Sequence, residues 1–278
     1  MAVTIKDIAR LSGISHQGVS AVLNGKLGKV SKEKRERIIN LAKELGYHPN
    51  VMARALTSGR TGLIGFITQD IRFPFHANLS YQIHQEAESR GYRVLMFESN
   101  WDDGRTLKCY HSMLNYQVDG LLIVGMPESC GDCRRVPLVL VDTWHPELSS
   151  VFFDYAPAMD MALELLLARG CERLAFVHDP VNRQKIAAYR EACRNKGVEV
   201  REFHYRYPTV GGDAQVLECA AVIAEAAERP DAIIVAADYE AALVINELER
   251  RGLRVPDDIS VISIDDTFIC GMVRPALS

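Results

Sequence analysis

Seven short apolar runs recur from residue 63 onward, and they constrain the fold more than any other feature of the chain. The first is LIGFIT, which begins at Leu63, and the last is ISVISID, which ends at Asp265. Each run has the length of a buried strand, and helical stretches such as 78–90, 158–169 and 239–251 separate the runs. Buried strands that alternate with helices predict an α/β fold with parallel sheets wound on both faces.

A break in this pattern near 145–156 predicts two such doubly wound subdomains, which together span 62–278. In doubly wound folds, ligands bind beyond the carboxyl ends of the strands. With two subdomains in one chain, that position is the cleft between them. The sequence therefore predicts a ligand-binding core with a cleft.

The first sixty residues follow a helical period instead, and a capping residue precedes each of three stretches. Thr4 precedes the first stretch and has Asp7 three positions later, Ser15 precedes the second, and Ser31 precedes the third. A short turn that contains Gly13 separates the first two helices. This spacing is typical of a helix-turn-helix, in which the second helix enters the major groove of DNA.

The polar face of the second helix carries His16, Gln17, Ser20 and Asn24 rather than Lys and Glu. Gln can bond adenine through two atoms, and the other three can reach bases or phosphates. Residues 1–60 hold eleven Lys or Arg against four Asp or Glu, whereas the remainder holds 21 against 32. A small basic module joined to a larger acidic one favours DNA binding over a plain three-helix bundle with an arbitrary polar face.

The bundle, assigned to 1–47, is followed by the segment 48–61. Its sequence predicts a helix of only about two turns, which needs a partner to be ordered. Minor-groove binders often insert an apolar side chain between base steps, and Leu56 is placed for that role. The adjacent Ser, Gly and Thr residues are typical of a simple linker, so both interpretations apply to neighbouring pieces.

The motifs TIKDIARLSGIS, VLNG and ELGYHPN, followed by AR and a leucine, resemble the LacI family of bacterial transcription regulators. The resemblance implies that the second helix reads the major groove and that a hinge helix inserts a leucine into the minor groove. It also implies a core similar to the periplasmic sugar-binding proteins. Gly18, taken as a mid-helix glycine, departs from this pattern and is expected to destabilise the helix by about 1 kcal/mol. The candidate DNA-binding residues are Thr4, Ser15, His16, Gln17, Ser20, Asn24, Lys29, Ser31, Asn50, Ala53, Arg54 and Leu56.

Carboxylates and flat aromatic side chains recur after the predicted strands, a combination that suits sugars or nucleobases. For any one of these residues, a strand-end cap is the simpler interpretation. The resemblance implies that Phe75, Trp144, Tyr207 and Asp265 line an effector pocket, with Lys185 where the family commonly has Arg. The candidate effector-binding residues are Phe75, Asp142, Trp144, Lys185, Tyr207, Asp238 and Asp265.

Enzyme motifs are absent from the sequence: it has no Gly-rich phosphate loop, no G-x-S-x-G and no H-E-x-x-H. Cys130 and Cys133 form a single CxxC without a second pair, so we expect free thiols rather than a metal site, and no cofactor. The chain has no long apolar run and no secretion signal, and its seven Cys are scattered. These features favour the cytoplasm and no membrane association.

The sequence therefore predicts a cytoplasmic, homodimeric repressor that binds an operator in double-stranded DNA and responds to a small-molecule effector. The alternative is a sugar-binding or sugar-processing protein with an incidental N-terminal bundle. The resemblance also implies further strands and helices after residue 278. We therefore expect a truncated C-terminus with exposed apolar surface, unless the subdomains are completed differently.

Overall fold

The computed structural model describes residues 3–25, 30–47, 59–125, 135–206 and 212–278. The chain forms two compact units, Met1–Gly62 and Leu63–Ser278. Several sequence predictions fall outside the described residues: the segment 48–58 with Asn50, Ala53, Arg54 and Leu56, and also Lys29, Cys130, Cys133 and Tyr207. None of the helices in the described ranges has the length and apolar character that crossing a membrane requires.

Three helices build the described part of the first unit: α1 (Ile5–Ser12), α2 (His16–Leu23) and α3 (Lys32–Glu44). Their apolar faces meet in one small core, in which Ile8 and Val19 are fully buried. Because each helix is short, most of its stability comes from this shared packing rather than from helix propensity.

Side-chain caps fix where these helices begin. The Thr4 hydroxyl accepts from the backbone N–H of Asp7, and the Asp7 carboxylate accepts from the backbone N–H of Thr4, which makes a capping box. Ser15 Oγ accepts from the backbone N–H of Gly18 at 3.2 Å, and Ser31 caps α3 in the same way. The predicted caps of all three helices are therefore confirmed.

Gly18 lies in the first turn of α2, as its third residue, so the prediction of a mid-helix position was wrong. A Cβ added at Gly18 would lie 2.9 Å from Ile14 Cγ2 and 3.3 Å from Ser15 Oγ. Real Cβ atoms rarely approach a neighbour so closely, and Ile14 is packed against the small core. The missing side chain therefore lets the residues before α2 fold back onto its first turn.

The second unit begins with a five-stranded parallel sheet in the order β2-β1-β3-β4-β5. Its elements, in chain order, are β1 (Leu63–Thr68), α4 (Pro74–Ser89), β2 (Arg93–Glu98), α5 (Asp103–Asn115), β3 (Gly120–Val124), β4 (Leu138–Val141) and β5 (Ser150–Val151).

A four-stranded parallel sheet follows, in the order β7-β6-β8-β9. Its elements are α6 (Ala156–Ala168), β6 (Leu174–His178), α7 (Arg183–Lys196), β7 (Glu202–His204), α8 (Gly212–Glu225), β8 (Ala232–Val235), α9 (Asp238–Arg250), β9 (Ser260–Ser263) and a 3-10 turn (Phe268–Gly271). Strands β6 and β8 are buried along their whole length, because hydrophobic clusters pack on both faces of this sheet.

The prediction of two parallel α/β sheets is confirmed, and each of the seven apolar runs contains a strand. Strands β5 and β7 were not predicted, since they have only two and three residues. Both sheets reverse their strand order after the first strand, so the switch points lie between β1 and β3 and between β6 and β8. Doubly wound folds bind their ligands at such points.

Candidate functional site

A cavity of about 350 Å³ opens at the carboxyl ends of the strands of both sheets. Gln69 and Gly125 follow β1 and β3 and line it from the first sheet, and Asp179 and Asp238 line it from the second. The cavity therefore includes both switch points. Its volume lies in the range of pockets that hold a small ligand.

Strained backbone marks the strand ends around this cavity. Trp101 after β2, Asp142 after β4 and Asp265 after β9 line it and have positive φ angles of 55°, 52° and 115°. Non-glycine residues adopt such angles rarely, and Trp does so at the greatest steric cost. Strain of this kind persists where the surroundings fix it, and it clusters at ligand sites.

Four of the aromatic side chains that line the cavity form what we call the aromatic wall: Phe73, Phe75, Trp101 and Tyr239. The ring centroids of Phe73 and Trp101 are 5.2 Å apart, and those of Phe73 and Tyr239 are 6.0 Å apart, both edge to face. Phe75 makes a similar contact with His76 at 5.3 Å. Flat apolar faces of this kind pack against the C–H faces of sugars or against nucleobases.

The polar side of the cavity is formed by a series of side-chain contacts that begins at Lys185. Its Nζ donates to Asp265 Oδ1 at 2.8 Å and to the backbone oxygen of Ala236 at 2.7 Å, and it lies 5.2 Å from the ring centroid of Tyr155. The Tyr155 hydroxyl in turn donates to Asp142 Oδ1 at 3.2 Å. The buried ammonium of Lys185 is therefore already paired within the protein.

Burial raises the pKa values of the two carboxyl groups in this series of contacts, Asp142 and Asp265. Burial raises the pKa of Asp142 to about 6, although the charge of Lys185 and the hydrogen bond from Tyr155 act in the opposite direction. Burial also raises the pKa of Asp265, and Lys185 opposes that shift. Titratable groups with such shifts in a cavity mark candidate binding sites.

Two further cavity residues, Glu240 and His76, were not predicted from the sequence. Glu240 is 6% exposed, and burial raises its pKa to about 7. His76 is 7% exposed, and burial lowers its pKa to about 4, so its ring is neutral at pH 7. Within the described part of the chain, Glu240 Oε2 and His76 Nδ1 have no hydrogen-bond partner.

The predicted effector residues divide into three groups: five that line the cavity, one outside the described residues, and Trp144, which is exposed and does not line the cavity. Phe75, Asp142, Lys185, Asp238 and Asp265 all line the cavity, whereas Tyr207 lies outside the described residues. Asp238 is committed to the fold, since its carboxylate accepts from the Ser263 hydroxyl and from the backbone N–H of Thr267, both at 2.6 Å.

The expectation that Trp144 lies in the pocket was wrong. Trp144 is 58% exposed and is not among the residues that line the cavity. Asp142, with its left-handed backbone, and Thr143 take the lining positions after β4. Trp101 supplies an indole to the cavity instead.

In the first unit, α2 presents the candidate DNA-binding face. His16, Gln17 and Asn24 are exposed, and Ser20 is half-buried. Asn24 Nδ2 donates to Ser20 Oγ at 3.3 Å, so these two side chains orient each other. α2 contains no Asp, Glu, Lys or Arg, so its exposed face offers hydrogen-bonding groups rather than fixed charges. The hydroxyls of Thr4, Ser15 and Ser31 cap helices.

Comparison with known proteins assigns the chain to a family. The lacI family of bacterial regulatory proteins matches residues 4–50, and a periplasmic binding protein-like domain matches residues 163–278. Catabolite control protein A of Priestia megaterium is 32% identical over 293 residues, which cover 100% of this chain and 87% of that protein. The chain belongs to the LacI family. As a LacI-family member, it is a DNA-binding transcription regulator with a sensor domain and not an enzyme, as the sequence predicted.

Two other LacI-family relatives extend the comparison. The ribose operon repressor of Haemophilus influenzae is 28% identical over 295 residues, which cover 99% of this chain and 85% of that protein. The crystal structure of the lac repressor dimer bound to operator and the anti-inducer ONPF matches with a TM-score of 0.87 and 25% identity. That match covers 100% of this chain and 86% of the lac repressor chain.

Proposed function

We propose that this LacI-family protein is a ligand-responsive repressor that binds its operator as a homodimer. The observation that carries the proposal is that one chain contains both of two features. The first unit has a capped helix whose exposed side chains are polar and uncharged, and the second unit has an aromatic-lined cavity with strained backbone at its edge. Two relatives named as repressors, the ribose operon repressor and the lac repressor, support the sign of the response.

Within the first unit, His16, Gln17 and Ser20 are the proposed readers of base edges in the major groove. Lys29, Asn50, Ala53, Arg54 and Leu56 remain proposals from the family resemblance. A dimer presents two copies of α2 to a roughly palindromic operator, which fits the dimeric, operator-bound lac repressor that the chain resembles. Residues 1–47 are the proposed DNA-binding domain and 48–61 the proposed hinge.

Within the core, 62–278, the proposed ligand is sugar-like or nucleobase-like. Its flat face would pack on the aromatic wall, and its hydroxyl or amine hydrogens would be accepted by Asp142 and neighbouring carboxylates. A ligand held by both sheets changes how far the cleft closes. That change shifts the population of the DNA-competent dimer, because ligand and operator then favour different closures.

Selection of bound duplexes from a random DNA pool tests the proposal. The protein should recover one roughly palindromic sequence, with an affinity that falls steeply as salt rises. Gln17→Ala should lose selectivity, whereas Gln82→Ala, the same change at an exposed position of α4, should not. Recovery of no preferred sequence by the unaltered protein would refute the function. Repeating the selected binding with sugars and nucleosides then identifies ligands that release the DNA.

A further inference from the structure

The cavity holds more negative than positive side chains, and its positive charges are few. Arg183 and Lys185 are its two basic residues, and Lys185 is committed to Asp265 and Ala236. The acidic residues that line the cavity are Asp142, Asp179, Asp238, Glu240 and Asp265. A ligand with an anionic group would therefore meet a repulsive field.

Glu240 is a buried acidic group of the cavity with unused hydrogen-bonding capacity. It lies in the first turn of α9, lines the cavity and is 6% exposed, yet its Oε2 has no partner among the described residues. A buried carboxylate oxygen without a hydrogen bond is unfavourable by about 1–3 kcal/mol or more. A donor group on a ligand in the cavity would complete its hydrogen bonding.

The surroundings of Glu240 favour a cationic donor. Lys185, Asp265 and Asp179 are the charged groups whose fields reach it, so two of its three charged neighbours are acidic. His76, the titratable group on the aromatic side of the cavity, is neutral at pH 7 because burial lowers its pKa to about 4. Aromatic faces such as those of the aromatic wall also attract a cation.

We propose that the cleft takes a monosaccharide-sized polyol that carries a protonated primary amine, with the ammonium bound by Glu240. This deepens the proposed function, on which it rests, by naming the ligand class. The hydroxyls of the polyol face the other cavity carboxylates, and its C–H face packs on the aromatic wall. Tighter binding of neutral or acidic sugars is inconsistent with this arrangement.

Isothermal titration of the full-length protein, without DNA, tests the proposal. The probes are glucosamine, galactosamine and mannosamine, each with its neutral parent sugar and its N-acetyl derivative, and glucuronate as the anionic probe. Phosphate and MOPS serve as buffers at pH 7, since Tris is itself a polyol amine. At least one amino sugar should bind more tightly than its parent and its N-acetyl derivative, because only the amino sugar carries the cation.

Proton release gives a second readout. Burial raises the pKa of Glu240 to about 7, and a bound ammonium would lower it again, so binding should expel a proton. The apparent binding enthalpy should then differ between the two buffers. Glu240→Gln should remove this difference and weaken amino-sugar binding roughly 30-fold, while leaving the parent sugar little changed. Glu249→Gln, at an exposed position of the same helix, should behave as the unaltered protein.

Three outcomes would overturn the inference. They are binding of the parent sugars as tight as that of the amino sugars, tightest binding by glucuronate, and no binding of any amino sugar. None of these outcomes contradicts the proposed function. That function is refuted separately, if the selection from a random DNA pool yields no operator. An unchanged amino-sugar affinity in Glu240→Gln would likewise remove Glu240 from the site.

Discussion

The Tyr155 hydroxyl donates to Asp142 Oδ1 at 3.2 Å and thereby joins the two sheets at the edge of the cavity. Tyr155 directly precedes α6 and packs against a core cluster of the second sheet, whereas Asp142 directly follows β4 of the first sheet. The bond therefore reports on the relative position of the two sheets. A ligand that occupies the cavity lies beside it.

Tyr155→Phe removes only this hydroxyl. Because the lost hydrogen bond helped to hold down the pKa of Asp142, that pKa should rise further above about 6. The free energy of unfolding should fall by about 0.5–1.5 kcal/mol at pH 7, measured in urea. Tyr81→Phe, an equivalent change at an exposed tyrosine, is the control and should leave stability unchanged. Equal effects of the two substitutions would show that the bond does not contribute.

Glu240 gives the stability of the core a pH dependence of defined sign. Burial raises its pKa from 4.5 in the unfolded chain to about 7 in the folded one. Between these values the folded state binds a proton that the unfolded state has released, so this group favours folding less as the pH rises. The contribution is fully present below pH 4.5 and is lost by about pH 7.

Glu240→Gln removes this loss of folding stability at rising pH, because Gln does not titrate. Relative to the unaltered protein, the free energy of unfolding of the variant should rise between pH 5 and pH 8, by on the order of 2 kcal/mol. Urea unfolding across this range measures the difference. Glu249→Gln should give a difference that is flat with pH. A flat difference for Glu240→Gln as well would mean that Glu240 is ionised throughout.

The strands were predictable, and the chemistry of the cavity only partly so. A short apolar run such as LIGFIT predicts a buried strand, and this signal can be read from the local sequence alone. Asp142 and Asp265 were found from the rule that parallel strands end at one edge of a sheet. Strands of two or three residues, such as β5 and β7, carry too little pattern to be seen.

Glu240 and Trp144 show why the rest could not be predicted. A Glu in the first turn of a helix is ordinarily a solvated charge that complements the helix dipole. Its burial in the cavity follows from packing between distant parts of the chain, which no local pattern encodes. Trp144 stands two residues after Asp142, and the direction of the chain there depends on the left-handed backbone of Asp142.

Ser15 provides a test of α2, the helix proposed to read DNA, through its N-terminal cap. Ser15→Ala removes the hydroxyl that accepts from the N–H of Gly18 and should destabilise the first unit by about 1 kcal/mol. Ser15→Asp keeps an acceptor at the N-cap and should preserve stability. Thermal unfolding followed by helical circular dichroism measures both variants. Comparable losses in the two would show that the cap is not what holds α2.

Gly18 offers the opposite test, a substitution that helix propensity alone predicts to be favourable. Ala in place of Gly stabilises a helix by about 1 kcal/mol, but the new Cβ would lie 2.9 Å from Ile14 Cγ2. Ile14 is packed and β-branched, so it cannot rotate away at low cost. Gly18→Ala should therefore be destabilising by about 1–3 kcal/mol, as overpacking usually is.

A double-mutant cycle isolates the clash at Gly18. Leu has no γ2 methyl, so Ile14→Leu removes the atom that the new Cβ would meet. In that background Gly18→Ala should be neutral or stabilising, with a coupling energy of about 1 kcal/mol or more. Thermal and urea unfolding of the four proteins gives the coupling. If Gly18→Ala stabilises the protein with Ile14 intact, the close approach does not explain the glycine.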